Sequence, residues 1–435
     1  MLSSLLNRLR CPYCGTRLTV VENAALERSG DAIESGVLGC ECCAFPVVAG
    51  IPVMIAGDRP RAAMHALEAG REEDALFMLL EVDRGRADAF RRLLDRGERA
   101  TYREALAILS RDAEADYLLH RFSDPTYLTV EGLLSALGPL QSSTAPFIDL
   151  CSGAGHVTRA LGRHSAGGGT VAADLSFWKL WLAKRFVAPD CQPVCCDGNH
   201  PLPFERESAA LVVLADAFPY IWHKRLLAGE MMRIASRGSF IVMPHLHSSL
   251  GYNFSAGDTL TPASYRDLFA PLSARLFSDA RLRDDVIERY IVDLGADLSP
   301  EELGDEPSFT LVAQASGYGR QASGEVPDSQ HAPGARRRAS DVFRRHELLP
   351  MAPAADEPLL VNPLYRVERQ GRGSLLTLEF PTPEYEEEFG ECRRYLPDAV
   401  TLDVDVAAPL TITTLGSRAT ELLRRRILIQ GPERY

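Results

Sequence analysis

Residues 147–155, Phe147-Ile148-Asp149-Leu150-Cys151-Ser152-Gly153-Ala154-Gly155, constrain the fold more than any other stretch of the chain. An apolar run carries an acid, a glycine-containing turn follows, and His156-Val157-Thr158-Arg159-Ala160-Leu161 reads as the start of a helix. A strand feeding a tight turn and a helix N-terminus is the first half of a nucleotide-binding βαβ unit, where glycine admits a ligand that a Cβ would exclude. Three later runs repeat the pattern of an apolar strand closed by a carboxylate. They are 170–174 ending in Asp174, 193–197 ending in Asp197 and 209–216 ending in Asp216. The last is too apolar to be anything but a buried strand. Acids at successive strand ends mark the edge where α/β sheets bind ligands.

Asp149-Leu150-Cys151-Ser152-Gly153-Ala154-Gly155 resembles the first motif of the class I S-adenosylmethionine-dependent methyltransferases, an acid followed by a G-x-G turn. Cys151 stands where a first glycine is usual. The resemblance implies a Rossmann-like sheet that binds S-adenosyl-L-methionine through Asp149, Gly153, Gly155, Asp174, Asp197 and Asp216. By it, Gly153 and Gly155 back the methionine part, Asp174 takes the ribose hydroxyls and Asp197 the adenine amino group. A dinucleotide dehydrogenase is the competing reading. It lacks the third glycine of G-x-G-x-x-G, replaced by Thr158, and leaves Asp197 idle. Arg121–Tyr127 leads into the helix before the first strand, with Ser123 or Asp124 as its cap. In methyltransferases this segment often lies over the cofactor, which makes Tyr127 a site candidate.

Five of the ten cysteines fall within the first 43 residues. Cys11-Pro12-Tyr13-Cys14-Gly15 and Cys40-Glu41-Cys42-Cys43 form two knuckles, whose thiolates can occupy the corners of a tetrahedron around a structural zinc ion. Equal C-x-x-C spacing favours the set Cys11, Cys14, Cys40 and Cys43 over one containing Cys42. The run that follows, 44–54, resembles the zinc-ribbon modules of the Trm112-like family. In bacterial relatives such a ribbon precedes a methyltransferase domain, as in the large-subunit rRNA guanine methyltransferases.

Length and spacing divide the 435 residues into a zinc ribbon (1–58), a helical connector (59–122), a methyltransferase domain (123–316), a linker (317–340) and a small C-terminal α+β domain (341–435). The expected fold class is therefore α/β, a Rossmann-like methyltransferase sheet with these additions. The connector either packs the ribbon against the sheet or forms a lid. In the last part, Leu410-Thr411-Ile412-Thr413 reads as a strand. No apolar run approaches the roughly 20 residues of a membrane span, and the first residues lack the features of a secretory signal. A cytoplasmic protein with reduced thiols is expected. The oligomeric state is not legible.

A fifth strand, Ser239-Phe240-Ile241-Val242-Met243, ends in Pro244-His245-Leu246-His247. Histidines two apart on extended chain point the same way, so His245 and His247 can face an acceptor pocket, where imidazole suits a general base. They could also hold a metal, or be ordinary hydrogen-bonded loop histidines. Asp216-Ala217-Phe218-Pro219-Tyr220 is not the Asn/Asp-Pro-Pro-Tyr motif of amino-group methyltransferases. The net charge of −12 also disfavours a nucleic-acid partner. A small-molecule or carrier-bound acceptor methylated on oxygen or carbon is expected. An rRNA base methyltransferase using the ribbon to bind RNA, and a non-catalytic scaffold, are the alternatives.

Overall fold

Apolar residues alternate between two faces along seven paired strands, and each face acquires its own core. The strands are β1 (Phe147–Leu150), β2 (Thr170–Asp174), β3 (Gln192–Cys195), β4 (Ala209–Leu214), β5 (Ala235–His247), β6 (Ser273–Ser278) and β7 (Ser308–Gln314). The computed structural model describes residues 1–110, 114–138, 144–165, 167–253, 257–315, 342–348, 357–406 and 410–435; the expected linker 317–340 lies outside them. The spatial order is β6-β7-β5-β4-β1-β2-β3. Strands β1 to β5 run parallel, while β7 is antiparallel to both β5 and β6. The order reverses between β1 and β4, so a crevice opens beyond their C-terminal ends. This is the Rossmann-like α/β sheet expected from the sequence.

Phe147, Leu211, Val213, Phe240 and Val312 pack into one core, and Ile148, Leu150, Val212, Leu214 and Ile241 into the other. The first core includes the connector helices, through Phe90, Tyr102, Leu106 and Leu118. The connector thus forms an outer layer over this face of the sheet.

Four strands of the N-terminal module, Thr19–Val21, Ala32–Gly39, Ala44–Val48 and Ile51–Pro52, run in that order, and Glu27–Ser29 pairs beside them. This sheet closes the open edge of the large one. Val53 bridges Cys195 in parallel, and the Met54 N–H donates to the Cys195 carbonyl at 2.7 Å. On the second face Leu5, Leu9, Phe45 and Val47 share a core with Ile148, Val171 and Phe204.

The C-terminal part has its own core around Leu364, Leu376, Phe389 and Leu402, beneath the antiparallel strands Tyr365–Gln370, Gly373–Leu378 and Ala399–Leu402. The strand expected at 410–413 does not form. Thr411 instead caps a short helix, Ile412–Leu415, by accepting the Thr414 N–H at 3.2 Å. Strand β6 was not anticipated, because only its second half is buried and the sequence shows no clear alternation there.

Candidate functional site

A cleft of about 610 Å³ lies at the C-terminal ends of β1, β2, β4 and β5. One wall is the helix Glu114–His120 with the turn after it, which contributes Tyr117, Arg121 and Asp124. The C-terminal part adds Glu388 and Glu391 on another side. The connector helices Asp58–Glu68 and Glu72–Leu80 pack against the ribbon strand Ala44–Val48, and the last connector helix walls this cleft.

At the nucleotide-like end the chain leaves β1 through a turn with three left-handed residues, Cys151 (φ 55°), Gly153 (φ 53°) and Gly155 (φ 86°). Each glycine has a different reason. A Cβ added at Gly153 would meet nothing within 4 Å, so its backbone faces open space in the cleft. At Gly155 a Cβ would come within 2.7 Å of Ala183 Cβ. Gly155 therefore serves close packing and does not line the cleft, a correction to its expected place against the cofactor. Asp174 does line it. Its Oδ2 accepts the Gly153 N–H at 2.8 Å and its Oδ1 the Ser176 N–H at 2.7 Å, which fixes the carboxylate while leaving lone pairs free.

Asp149 points inward at the base of this turn. Burial pushes its carboxyl up to about 7, against the opposing effect of the Thr158 hydroxyl, which donates to Oδ2 at 2.6 Å. The threonine that removes the dehydrogenase fingerprint thus has its own task. Asp197 lies two residues beyond β3 and outside the cleft lining. Its Oδ1 accepts the Asn199 N–H at 2.8 Å, and Oδ2 lies 3.1 Å from His200 Nδ1. Tyr127 is also outside: it is 1% exposed, packs its ring 5.3 Å from Phe122, and finds no partner for its hydroxyl among the described residues. As the third residue of helix Pro125–Leu137 it points to the core, whereas Tyr117 lines the cleft.

The opposite end collects Asp216, His245 and His247. Strand β5 carries one extra residue against β7 between Met243 and Leu246, where Pro244 has no N–H to give and His245 adopts φ 56°. This bulge lets both imidazoles reach the cleft. Asp216, two residues past β4, is also left-handed (φ 57°). His247 Nε2 lies 3.1 Å from Asp216 Oδ1, and His245 Nδ1 lies 2.9 Å from Asp279 Oδ2. The Thr310 hydroxyl donates to the other Asp279 oxygen at 2.7 Å. Burial lowers the His245 pKa, but the Asp279 hydrogen bond and the charges of Asp216 and Asp279 outweigh it and hold the group above its ordinary value. Asp279 escaped sequence reading because β6 did, and Thr310 because nothing within its own strand, β7, marks it as the partner of Asp279. The Ser278 side chain, which accepts the Arg281 N–H at 3.3 Å, was the signal for a helix starting at Asp279.

The cysteine knuckles converge in the ribbon. Cys11 Sγ lies 3.7 Å from Cys42 Sγ, Cys14 Sγ 3.7 Å from Cys40 Sγ, and Cys40 Sγ 3.7 Å from Cys42 Sγ. Four sulfurs at about 2.3 Å from one ion have edges of about 3.8 Å, so the spacing fits a tetrahedral thiolate site. The fourth member is Cys42, correcting the choice of Cys43. Cys43 contributes its backbone: its N–H donates to Cys40 Sγ at 3.2 Å and its carbonyl accepts the Cys40 N–H at 2.9 Å. Those two bonds hold it at the entry to strand Ala44–Val48.

No protein-family model matches the chain. No curated protein matches it either. Among solved structures, it is similar to a chain from the complex of the Haloferax volcanii Trm112 methyltransferase activator with its partner, at 18% identity and TM-score 0.35 over 49% of this chain and 97% of that one. An S-adenosylmethionine-dependent methyltransferase from Thermotoga maritima gives 13% identity and TM-score 0.32 over 46% and 93%. Geranyl diphosphate methyltransferase in complex with its diphosphate and sinefungin gives 14% and 0.33 over 43% and 76%. No helix among the described residues is long and apolar enough to cross a membrane.

Proposed function

We propose that the chain is an S-adenosyl-L-methionine-dependent methyltransferase acting on a small-molecule or carrier-bound acceptor, at oxygen or carbon. One observation carries this reading: the glycine turn with Asp174 and the histidine pair with its aspartates open on the same cleft. The residues fit the cofactor. Gly153 leaves room against the turn, Asp174 retains lone pairs for a ribose diol, and Leu175 beside it is 54% exposed, offering apolar surface to a base. When bound, the cofactor supplies a methyl group on a sulfonium that leaves as a neutral sulfide. The chain's task is to align the acceptor and draw off its proton.

That proton leaves at the His245–His247 end. With Nδ1 held by Asp279, His245 keeps Nε2 available. In His247 one nitrogen faces Asp216 and the other is buried without a partner among the described residues. Carboxylates outnumber cations in the cleft lining, with Asp174, Asp216 and Glu388 among them, and this balance disfavours a phosphate backbone and favours a small acceptor over rRNA. Zinc is the ion proposed for Cys11, Cys14, Cys40 and Cys42, in a structural role.

Transfer of a tritiated methyl group, run in parallel on a metabolite extract and on undermethylated ribosomes, tests the reading. Label is expected in the metabolite fraction; label confined to rRNA would overturn the acceptor class. Failure of the wild-type chain to bind S-adenosylhomocysteine by calorimetry would overturn the activity itself.

A further inference from the structure

We infer that Asp216, His245 and His247 form a binding site for a first-row divalent cation of the Mn²⁺ or Fe²⁺ type at the acceptor end of the cleft. One donor atom from each of the three side chains lies within 4.8 Å of the others. The 3.1 Å between His247 Nε2 and Asp216 Oδ1 is already the separation of two ligands about 2.2 Å from one ion and at right angles. Two imidazoles and one carboxylate on one side, with the remaining positions open to a cleft, is the donor set of a facial triad. Mg²⁺ suits it less, since hard cations favour all-oxygen shells.

The surroundings are those of ligands held for an ion. His245 has its Nδ1 against Asp279, whose other oxygen is held by Thr310, so Nε2 is the nitrogen left for coordination. A carboxylate behind a coordinating imidazole is what orients the ring and raises its basicity. Charge points the same way. Arg121 pairs with Asp124, Arg283 with Glu391 at 3.0 Å and Lys179 with Glu114, so the cationic side chains lining the cleft are engaged by carboxylates other than Asp216. Among the described residues the only ion-pair partners of Asp216 and Asp279 are the two imidazoles.

The ion's occupancy stands by itself; only its consequence rests on the methyltransferase reading. An acceptor hydroxyl joining the open positions would release its proton to water and keep the O–H electron pair on oxygen, where it forms the new bond to the methyl carbon as the carbon–sulfur bond breaks toward sulfur. The imidazoles then hold the ion and need not take the proton themselves.

Mn²⁺ is the probe, because thiolates are poor ligands for it and the cysteine cluster does not compete. The full chain is first dialysed against an oxygen–nitrogen chelator and its metal content counted. Titration followed by the electron paramagnetic resonance of free Mn²⁺ is expected to show one saturable site. Asp279→Asn, which keeps all three ligands, is expected to weaken it about 10–100-fold. His247→Ala and Asp216→Asn should weaken it further, with circular dichroism confirming that each variant is folded. Mn²⁺ uptake that is absent in the wild type, or equal in folded wild type and His247→Ala, overturns the site. Calorimetry with S-adenosylhomocysteine separates the two readings: nucleoside binding without Mn²⁺ uptake removes the ion alone, whereas Mn²⁺ uptake without nucleoside binding supports the ion and removes the methyltransferase.

Discussion

The cysteine cluster of the ribbon and the histidine cluster of the cleft both gather metal-binding side chains, and they differ in how many donors they bring. Cys11, Cys14, Cys40 and Cys42 supply four sulfurs and leave no position for a substrate. Asp216, His245 and His247 supply three donors beside open space. A complete shell converts ion affinity into folding energy, while an incomplete one keeps part of it for a ligand. Their supports follow the same division. The cysteines are set by local backbone bonds inside one small sheet, such as the Cys43 N–H to Cys40 Sγ. His245 depends on Asp279 and Thr310, which reach it from the helix after β6 and from β7, and His247 on Asp216 beyond β4.

The largest expected effect lies on the closed side. Cys11→Ser with Cys14→Ser should remove a contribution comparable to the whole stability of a domain, about 5–15 kcal/mol. Because Leu5, Leu9, Phe45 and Val47 share a core with Ile148 and Val171, hydrogen exchange should show β1 and β2 losing protection together with the ribbon. Protected strands in a metal-free double variant would break the comparison by making the ribbon detachable.

On the open side, stability is given up for a carboxyl. Asp149 has its folded pKa raised from 3.8 to about 7, so the folded chain retains a proton that the unfolded chain has lost. Its contribution is therefore fully present below pH 4, falls as pH rises, and levels off above about 7, with a total loss of up to about 4 kcal/mol. Urea titrations at pH 5, 6, 7 and 8 should show this slope, flattened in Asp149→Asn. An identical slope in the variant would place the titrating group elsewhere.

Asp174→Ala should cost about 2–3 kcal/mol in S-adenosylhomocysteine affinity, roughly 30–150-fold by calorimetry. The melting temperature should fall much less, since only the bonds to Gly153 and Ser176 are lost from the turn. Unchanged affinity would remove Asp174 from the cofactor end. The smallest effect belongs to Tyr127→Phe. The buried hydroxyl has no partner among the described residues, so its removal should change stability by no more than about 1 kcal/mol, in the stabilising direction, with nucleoside binding untouched. A large drop in binding would restore Tyr127 to the site.

The parts of this molecule governed by short-range pattern were legible in its sequence. Asp149 to Gly153, Asp174 and the presence of each parallel strand follow from runs of a few residues, although β5 starts earlier than its apolar run and extends to His247. Cys42 was not, because equal spacing says nothing about which of two adjacent thiols a turn directs inward; the bonds from the Cys43 N–H to Cys40 Sγ and from the Cys40 N–H to the Cys43 carbonyl fix that turn. Gly155 and Tyr127 were given to the ligand because family position says nothing about the neighbour packed behind them, here Ala183 and Phe122. Asp279 opens the helix that follows an edge strand whose exposed half hides its alternation. Its meaning arises only when a partner more than thirty residues earlier in the chain, His245, comes within 2.9 Å.

The bridge between Val53 and Cys195 has a consequence for how the chain comes to be folded. A strand edge left unpaired is a template for other chains, and β3 is the outermost strand on its side of the large sheet. The segment that blunts this edge is made long before the edge itself. During synthesis at about 5–20 residues per second, the ribbon waits some seconds with Val47, Phe45 and Leu9 uncovered until β1 to β3 emerge. An ion already held by the cysteines would keep that waiting surface in one shape. The metal supply would then govern yield and aggregation during synthesis before it governed anything the finished protein does.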